Sequence, residues 1–236
     1  MNKHYIAPVP ALGLAACLGA IGNCEQRAFG PREIIFAQND PADAIFYILQ
    51  GKVKCSAKAK NGKEGVVAIF QTQNFFGEGC MIGDVRRLTT AVAITSCRVM
   101  RIPKTAMLRV LETDFSTAEQ FIAFLVARNL QYEDDLVDHL FNNCEKRLTR
   151  LLLRLAETQK EDKEILLVPR ISQQTMAEVV GTTRSRINHF MNKFRKLGLI
   201  EYDNNHGGRI RLRRSALAHL LSDGRETSCS SLEAVA

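Results

Sequence analysis

The sequence predicts an α+β fold: an N-terminal antiparallel β-roll of the cupin-like jelly-roll type, a long helix, and a C-terminal winged helix-turn-helix domain. Three observations carry this expectation. Between Ala28 and Ile102, short runs of β-branched and aromatic residues alternate with turn residues. After Pro103 the apolar spacing changes to that of a helix. Between Ile171 and Phe194, two short amphipathic segments flank a glycine.

In the first region Arg32 to Phe36, Ala44 to Leu49, Lys52 to Cys55, Gly65 to Phe70 and Arg98 to Ile102 read as strands. The turn signals between them are Gln38-Asn39-Asp40-Pro41, Gln50-Gly51, Lys60-Asn61-Gly62-Lys63 and Gly77. Closely spaced strands with tight turns imply an antiparallel sandwich or roll. Asn61-Gly62 marks a hairpin, since glycine accepts positive φ without a side-chain clash.

From Phe115 to Phe141, apolar residues at 118, 121, 122, 125, 132, 136 and 140 follow a helical period. A helix of that length reaches about 40 Å. It outruns a small domain, so part of its apolar stripe is expected to need a second chain; the alternative is a long helix laid along its own sandwich. Glu145 to Thr158 starts another helix, and Thr158 to Lys163 reads as a surface loop.

The most informative segment runs from Ile171 to Phe194. Ser172 caps a helix whose apolar face is Met176, Val179 and Val180, and Gly181 supplies the left-handed backbone of a tight turn. Thr182 or Thr183 caps a second helix, with Ile187, Phe190, Met191 and Phe194 facing inward. Arg184, Ser185, Asn188 and His189 are left outward, as residues that read base edges in a major groove. Ser172, Thr183, Arg186, Lys193 and Arg209 are placed to hold the DNA backbone, with Arg213 and Arg214 beside them. Glu201-Tyr202-Asp203 and Gly207-Gly208-Arg209-Ile210-Arg211-Leu212 form the hairpin wing.

Charge agrees with this placement. The chain has 236 residues and a net charge of +7. Residues 145–214 hold sixteen Lys/Arg against eight Asp/Glu, so all of the basic excess lies in that one segment. Such a concentration fits a polyanionic partner, because neutralised phosphates release condensed counterions. Double-stranded DNA is the expected partner.

Other chemistries find little support. There is no phosphate-cradling Gly-Lys-Ser/Thr loop, nucleophile elbow or metal-spaced His/Glu set, so the chain is not expected to be an enzyme and no metal is assigned. No apolar run approaches the roughly 18 residues of a membrane span, and a cytoplasmic protein without membrane contact is expected. Leu14-Ala15-Ala16-Cys17 imitates a lipoprotein cleavage box, but Pro8 and Pro10 break the apolar run before it.

The two halves together resemble the CRP/FNR family of bacterial transcription regulators, from about Arg27 to Leu220. The residues that carry the likeness are Gly51, Phe75-Phe76-Gly77-Glu78, the segment ending near Arg101-Ile102, the long helix, and Gly181-Thr182-Thr183-Arg184. The resemblance implies a cyclic-nucleotide-binding-type roll, a dimerising helix and a homodimer on a palindromic operator, with RNA polymerase as a further partner. It divides the chain into an N-terminal extension (1–26), a roll (27–114), the dimerisation helix (115–141), the DNA-binding domain (142–221) and a disordered tail (222–236). The alternative is a nucleotide-binding module that controls a protein partner and has only non-specific affinity for DNA.

The resemblance also nominates Gly77, Glu78, Arg87, Thr89 and Tyr132 as effector-binding residues, with a cyclic nucleotide as the candidate effector and no certain cofactor. Leu88 stands where relatives carry a serine, and Glu133, Asp134 and Asp135 follow Tyr132 where they carry small hydroxyl residues. An ion pair between Glu78 and Arg87 is the structural alternative for those two. An iron–sulfur cluster, as in FNR-like members, is not expected. Cys17 and Cys24 are too widely spaced for it, and Cys55, Cys80, Cys97 and Cys144 read as buried small hydrophobes.

Overall fold

Strand β3 (Ala44–Gln50) explains why its sequence is a nearly unbroken apolar run. Successive side chains point to opposite faces, and both faces are covered. Phe46 and Ile48 pack with Phe36, Val53, Phe70, Phe76 and Val99 between two sheets. Ile45 and Tyr47 pack on the other side with Phe75, Ile102, Met107, Phe121 and Phe124.

The computed structural model describes residues 24–60, 62, 64–83, 86–158, 165–203, 209–213, 215 and 221. The chain divides into two units, Met1–Asp138 and His139–Ala236. The first contains β1 (Glu25–Phe29), β2 (Ile34–Phe36), β3, β4 (Lys52–Lys58), β5 (Glu64–Gln71), β6 (Phe75–Phe76), β7 (Thr90–Ala93) and β8 (Cys97–Pro103). They form two antiparallel four-stranded sheets, ordered β1-β8-β3-β6 and β2-β7-β4-β5. β3 and β4 are joined through Gly51 alone, at φ 98°. Gly62, at φ 82°, lies in the hairpin that pairs β4 with β5; Asn61 lies outside the described residues.

Helix α1 (Lys104–Thr113) buries Met107, and α2 (Phe115–Phe141) buries Thr117, Phe121 and Phe124. Along the rest of α2, Ile122, Val126, Leu130, Leu136, Val137, Leu140 and Phe141 are exposed.

The second unit holds α3 (Cys144–Leu155), whose N-cap Asn143 accepts from the Lys146 amide at 2.9 Å. β9 (Glu157–Thr158), β10 (Ile165–Val168), α4 (Gln173–Val180), α5 (Arg184–Lys196), β11 (Ile200–Asp203) and β12 (Arg209–Arg213) follow. The antiparallel sheet runs β11-β12-β10-β9. Leu148, Leu152, Met176, Ile187, Phe194, Ile200 and Leu212 fill its core.

Several expectations require correction. β1, β6, β7, β9, β10 and α1 had no counterpart in the sequence reading. Thr158 ends a strand rather than opening a loop, because its backbone pairs with Leu166. α3 stops at Leu155, where Ala156 takes an extended conformation. The N-terminal segment through Asn23, Arg214 and the tail beyond Ser222 lie outside the described residues. Among the described residues, no helix is long and apolar enough to cross a membrane.

Candidate nucleic-acid interface and effector pocket

The helix-turn-helix is built by two caps and one glycine. Ser172 Oγ accepts from the Thr175 amide at 3.0 Å and starts α4. Gly181, at φ 70° and ψ 47°, ends it in the left-handed region, and the Thr182 amide donates back to the Ala177 carbonyl at 3.0 Å. Thr183 Oγ1 then accepts from the Arg186 amide at 3.3 Å and opens α5.

Below this turn Met176, Ala177, Val180, Ile187, Met191 and Phe194 are buried, while Val179 and Phe190 are half-buried. On the outside Arg184, Ser185, Arg186, Asn188 and His189 are exposed, together with the capping residues Ser172 and Thr183. Arg209 is exposed on the wing. Lys193 differs from the others: half-buried, it forms a 2.9 Å ion pair with Glu145 of α3. Its ammonium is thereby engaged in holding α5 to α3. On the wing, Arg211 pairs with Asp203 at 3.0 Å and Arg213 lies 4.0 Å from Glu201. Gly207, Gly208 and Arg214 lie outside the described residues.

One polar cluster on this surface was not legible in the sequence. Asn188 Oδ1 accepts from Gln173 Nε2 and from Asn192 Nδ2, each at 3.3 Å. Gln173 also lies beside Tyr202 of β11, and partial burial raises that phenol's pKa. Gln173 follows the cap Ser172 directly, and that position is the only sequence signal that could have drawn attention to it.

The roll brings together the expected effector residues, but not with the expected partners. Gly77, at φ 77°, precedes a short 3-10 helix, Glu78–Ile82. Arg87 is buried; it donates to the Gly77 carbonyl at 2.8 Å and the Ala44 carbonyl at 2.6 Å. Its guanidinium lies 4.4 Å from the Phe36 ring centre and 5.4 Å from that of Phe46. Burial pulls its pKa below the usual arginine value.

Glu78 pairs with Arg128 of α2 at 3.0 Å, not with Arg87, which corrects the internal ion pair suggested by the sequence. Arg128 also donates to the Phe75 carbonyl at 3.0 Å and to Tyr132 Oη at 2.7 and 2.9 Å. It lies 4.3 Å above the Phe70 ring. Burial raises the Tyr132 phenol, opposed by the charge of Arg128. Thr89 is half-buried near Cys55, and Thr90 Oγ1 accepts from the Gln38 backbone amide at 2.9 Å. Leu88 is 80% exposed and so contributes nothing to this interior.

Cys55, Cys80 and Cys97 are buried as expected, whereas Cys24 and Cys144 are half-buried. Cys144 departs from expectation because it sits in the first turn of α3, with the Arg147 guanidinium 3.4 Å from its sulfur. Cys17 and Cys229 lie outside the described residues. Among the described residues, no cluster of His, Cys, Asp and Glu could hold a metal ion.

An aromatic-lined antiparallel roll followed by a long helix and a winged helix-turn-helix defines a class of regulator with a sensor-type domain and a DNA-binding domain. Comparison with known proteins gives the same division. Residues 26–114 match the cyclic nucleotide-binding domain and residues 146–220 match the Crp-like helix-turn-helix domain. The chain belongs to the CRP/FNR family of transcription regulators.

A CRP-like cAMP-activated global transcriptional regulator of Mycobacterium tuberculosis is 26% identical over 171 residues, 72% of this chain and 76% of that protein. Among solved structures, FixK2 from Bradyrhizobium japonicum superposes with a TM-score of 0.71 at 16% identity, over 86% of this chain and 99% of that one. The c-di-GMP responsive regulator CLP of Xanthomonas campestris gives 0.66 at 22% identity, over 84% and 99%. Both solved structures are likenesses of fold.

Proposed function

We propose that this transcription regulator reads a palindromic operator as a homodimer, through the outward face of α5. The observation that carries the reading is the sorting of that helix. Ile187, Met191 and Phe194 are buried, while Arg184, Ser185, Asn188 and His189 are exposed in its first two turns. These residue types suit base edges, arginine for guanine O6/N7 above all. Ser172, Thr183, Arg186 and Arg209 flank them as phosphate contacts, and Lys193 joins them only by leaving Glu145.

The dimer reading rests on α2. Ile122, Val126, Leu130 and Val137 expose an apolar stripe on a 27-residue helix, and a second copy of the same helix is the partner it suits. A two-fold dimer meets half-sites about one helical turn apart. The protein acts in the cytoplasm, as a regulator rather than an enzyme, and passes its effect to RNA polymerase.

For the roll, the geometry favours DNA reading that does not await a cyclic nucleotide. An incoming cyclic phosphate needs a guanidinium, and two nitrogens of Arg87 are turned onto the Gly77 and Ala44 carbonyls, which leaves only its buried Nε without a hydrogen-bond partner. A ribose needs the Glu78 carboxylate, whose buried Oε2 is ion-paired with Arg128 at 3.0 Å without taking a hydrogen bond from it. The mycobacterial relative is described as cAMP-activated and the Xanthomonas neighbour as c-di-GMP responsive, so relatives of one architecture differ in the nucleotide they answer to.

The test is selection from a randomised duplex library, with and without cyclic AMP or cyclic GMP. A palindromic consensus in all conditions is expected. A consensus that appears only with nucleotide overturns the effector reading, and no consensus in any condition overturns the regulator reading.

A further inference from the structure

We propose that Gln173 is a specificity-determining residue that fixes the direction of the Asn188 amide, so that Asn188 meets its base as a hydrogen-bond donor. The inference rests on the DNA-reading role of α5 and adds to it the kind of base edge read at one position.

An asparagine amide carries an acceptor oxygen with two lone pairs and an NH₂ with two donor hydrogens. Asn188 Oδ1 takes bonds from Gln173 Nε2 and Asn192 Nδ2, both at 3.3 Å, so both of its lone pairs are occupied. The Nδ2 hydrogens remain for DNA. Turning the amide over would set its NH₂ against two other NH₂ groups and lose both bonds. The two donors stand on different elements, Gln173 at the start of α4 and Asn192 one turn along α5. Gln173 is itself half-buried and lies beside Tyr202 of β11.

The consequence is chemical. Residue type alone pairs asparagine with adenine, which needs Oδ1 to accept from N6 while Nδ2 donates to N7. With its oxygen engaged, Asn188 offers donors only. It therefore favours an edge that presents acceptors, which are guanine O6/N7 or thymine O4.

The experiment uses the full chain in parallel library selections, followed by competition binding on single-base variants of the selected site. Four proteins are compared: wild type, Asn188→Ala, Gln173→Leu and Gln173→Glu. The position whose preference Asn188→Ala erases should carry guanine or thymine in wild type. Gln173→Leu should reduce discrimination against adenine there by about fivefold to tenfold, with the rest of the consensus retained. Gln173→Glu presents an acceptor in place of a donor, turns the Asn188 amide over, and should move the same position toward adenine. Adenine at that position in wild type overturns the inference. So does a Gln173→Leu protein that weakens every sequence alike, the mark of a phosphate contact. A wild-type chain that selects no consensus sinks the DNA-reading role itself, an outcome distinct from these.

Discussion

Glu78 and Arg128, fifty residues apart, close a 3.0 Å ion pair between the turn after β6 and helix α2, with side chains 25% and 12% exposed. Arg128 is the hub, since it also bonds the Phe75 carbonyl and Tyr132. Arg128→Ala removes the partner of a carboxylate that water reaches poorly. Urea unfolding should show a loss of about 2 kcal/mol, below the roughly 3–5 typical of fully buried pairs. Arg128→Lys should recover only part, because an ammonium cannot serve carboxylate, carbonyl and phenol in one plane.

On α5, the helix proposed to read DNA, Arg184→Ala should weaken binding to the selected operator by about 1–3 kcal/mol and relax one base position. Fluorescence anisotropy on operator variants measures both, and an unchanged melting temperature shows that the fold survives. Wild-type affinity in this variant would remove Arg184 from the readout.

The stripe on α2 makes a separate prediction. Val126→Glu places a charge among Ile122, Val126 and Leu130, which the single chain leaves exposed. Sedimentation should show a shift from dimer to monomer with the helical content retained. A dimer of undiminished affinity would place the interface elsewhere.

Gly51 joins β3 to β4 at φ 98°, and a Cβ there would lie 2.6 Å from Cys97 Sγ and 2.9 Å from Cys97 Cα. The Ser96 carbonyl oxygen would be closer still. Gly51→Ala therefore combines a left-handed backbone with a steric clash. A loss of about 3 kcal/mol is expected, read by thermal unfolding.

Burial pushes the Cys55 thiol from the usual value near 9 up to about 12. Below pH 9 this thiol is protonated in folded and unfolded chains alike. Between pH 9 and 12 only the unfolded chain ionises, so Cys55 takes stability away as pH rises through that window. A thiol reagent at pH 8 should modify Cys55 only after denaturant is added, a result that peptide mapping can read.

The sequence legibility of these features follows from the range of the forces involved. α2 and the helix-turn-helix were readable because caps, a left-handed glycine and a helical period are local in the chain. Ser172, Gly181 and Thr183 act within a few residues of their own positions. β1 and β7 are not legible because their order comes from partners far away in sequence. Glu25 pairs with Arg101, for example, and Thr90 with Ser56.

The effector residues show the same division. Gly77, Glu78 and Arg87 could be nominated by resemblance, but their bonding could not. Glu78 is held by a residue fifty positions on, and Arg87 by a carbonyl 43 positions back. Gln173 illustrates a different limit. Its residue type is common on helix starts, and only its reach to Asn188 gives it a role.

The aromatic interior of the roll has a consequence for control in the cell. Phe36, Phe46, Phe70 and Phe76 pack with ring centres 5.2–6.0 Å apart, and Arg87 and Arg128 lie against them. On the proposed reading, in which DNA binding does not await a nucleotide, operator occupancy would follow copy number: how fast the chain is made, how long it escapes proteolysis, and how often two copies meet.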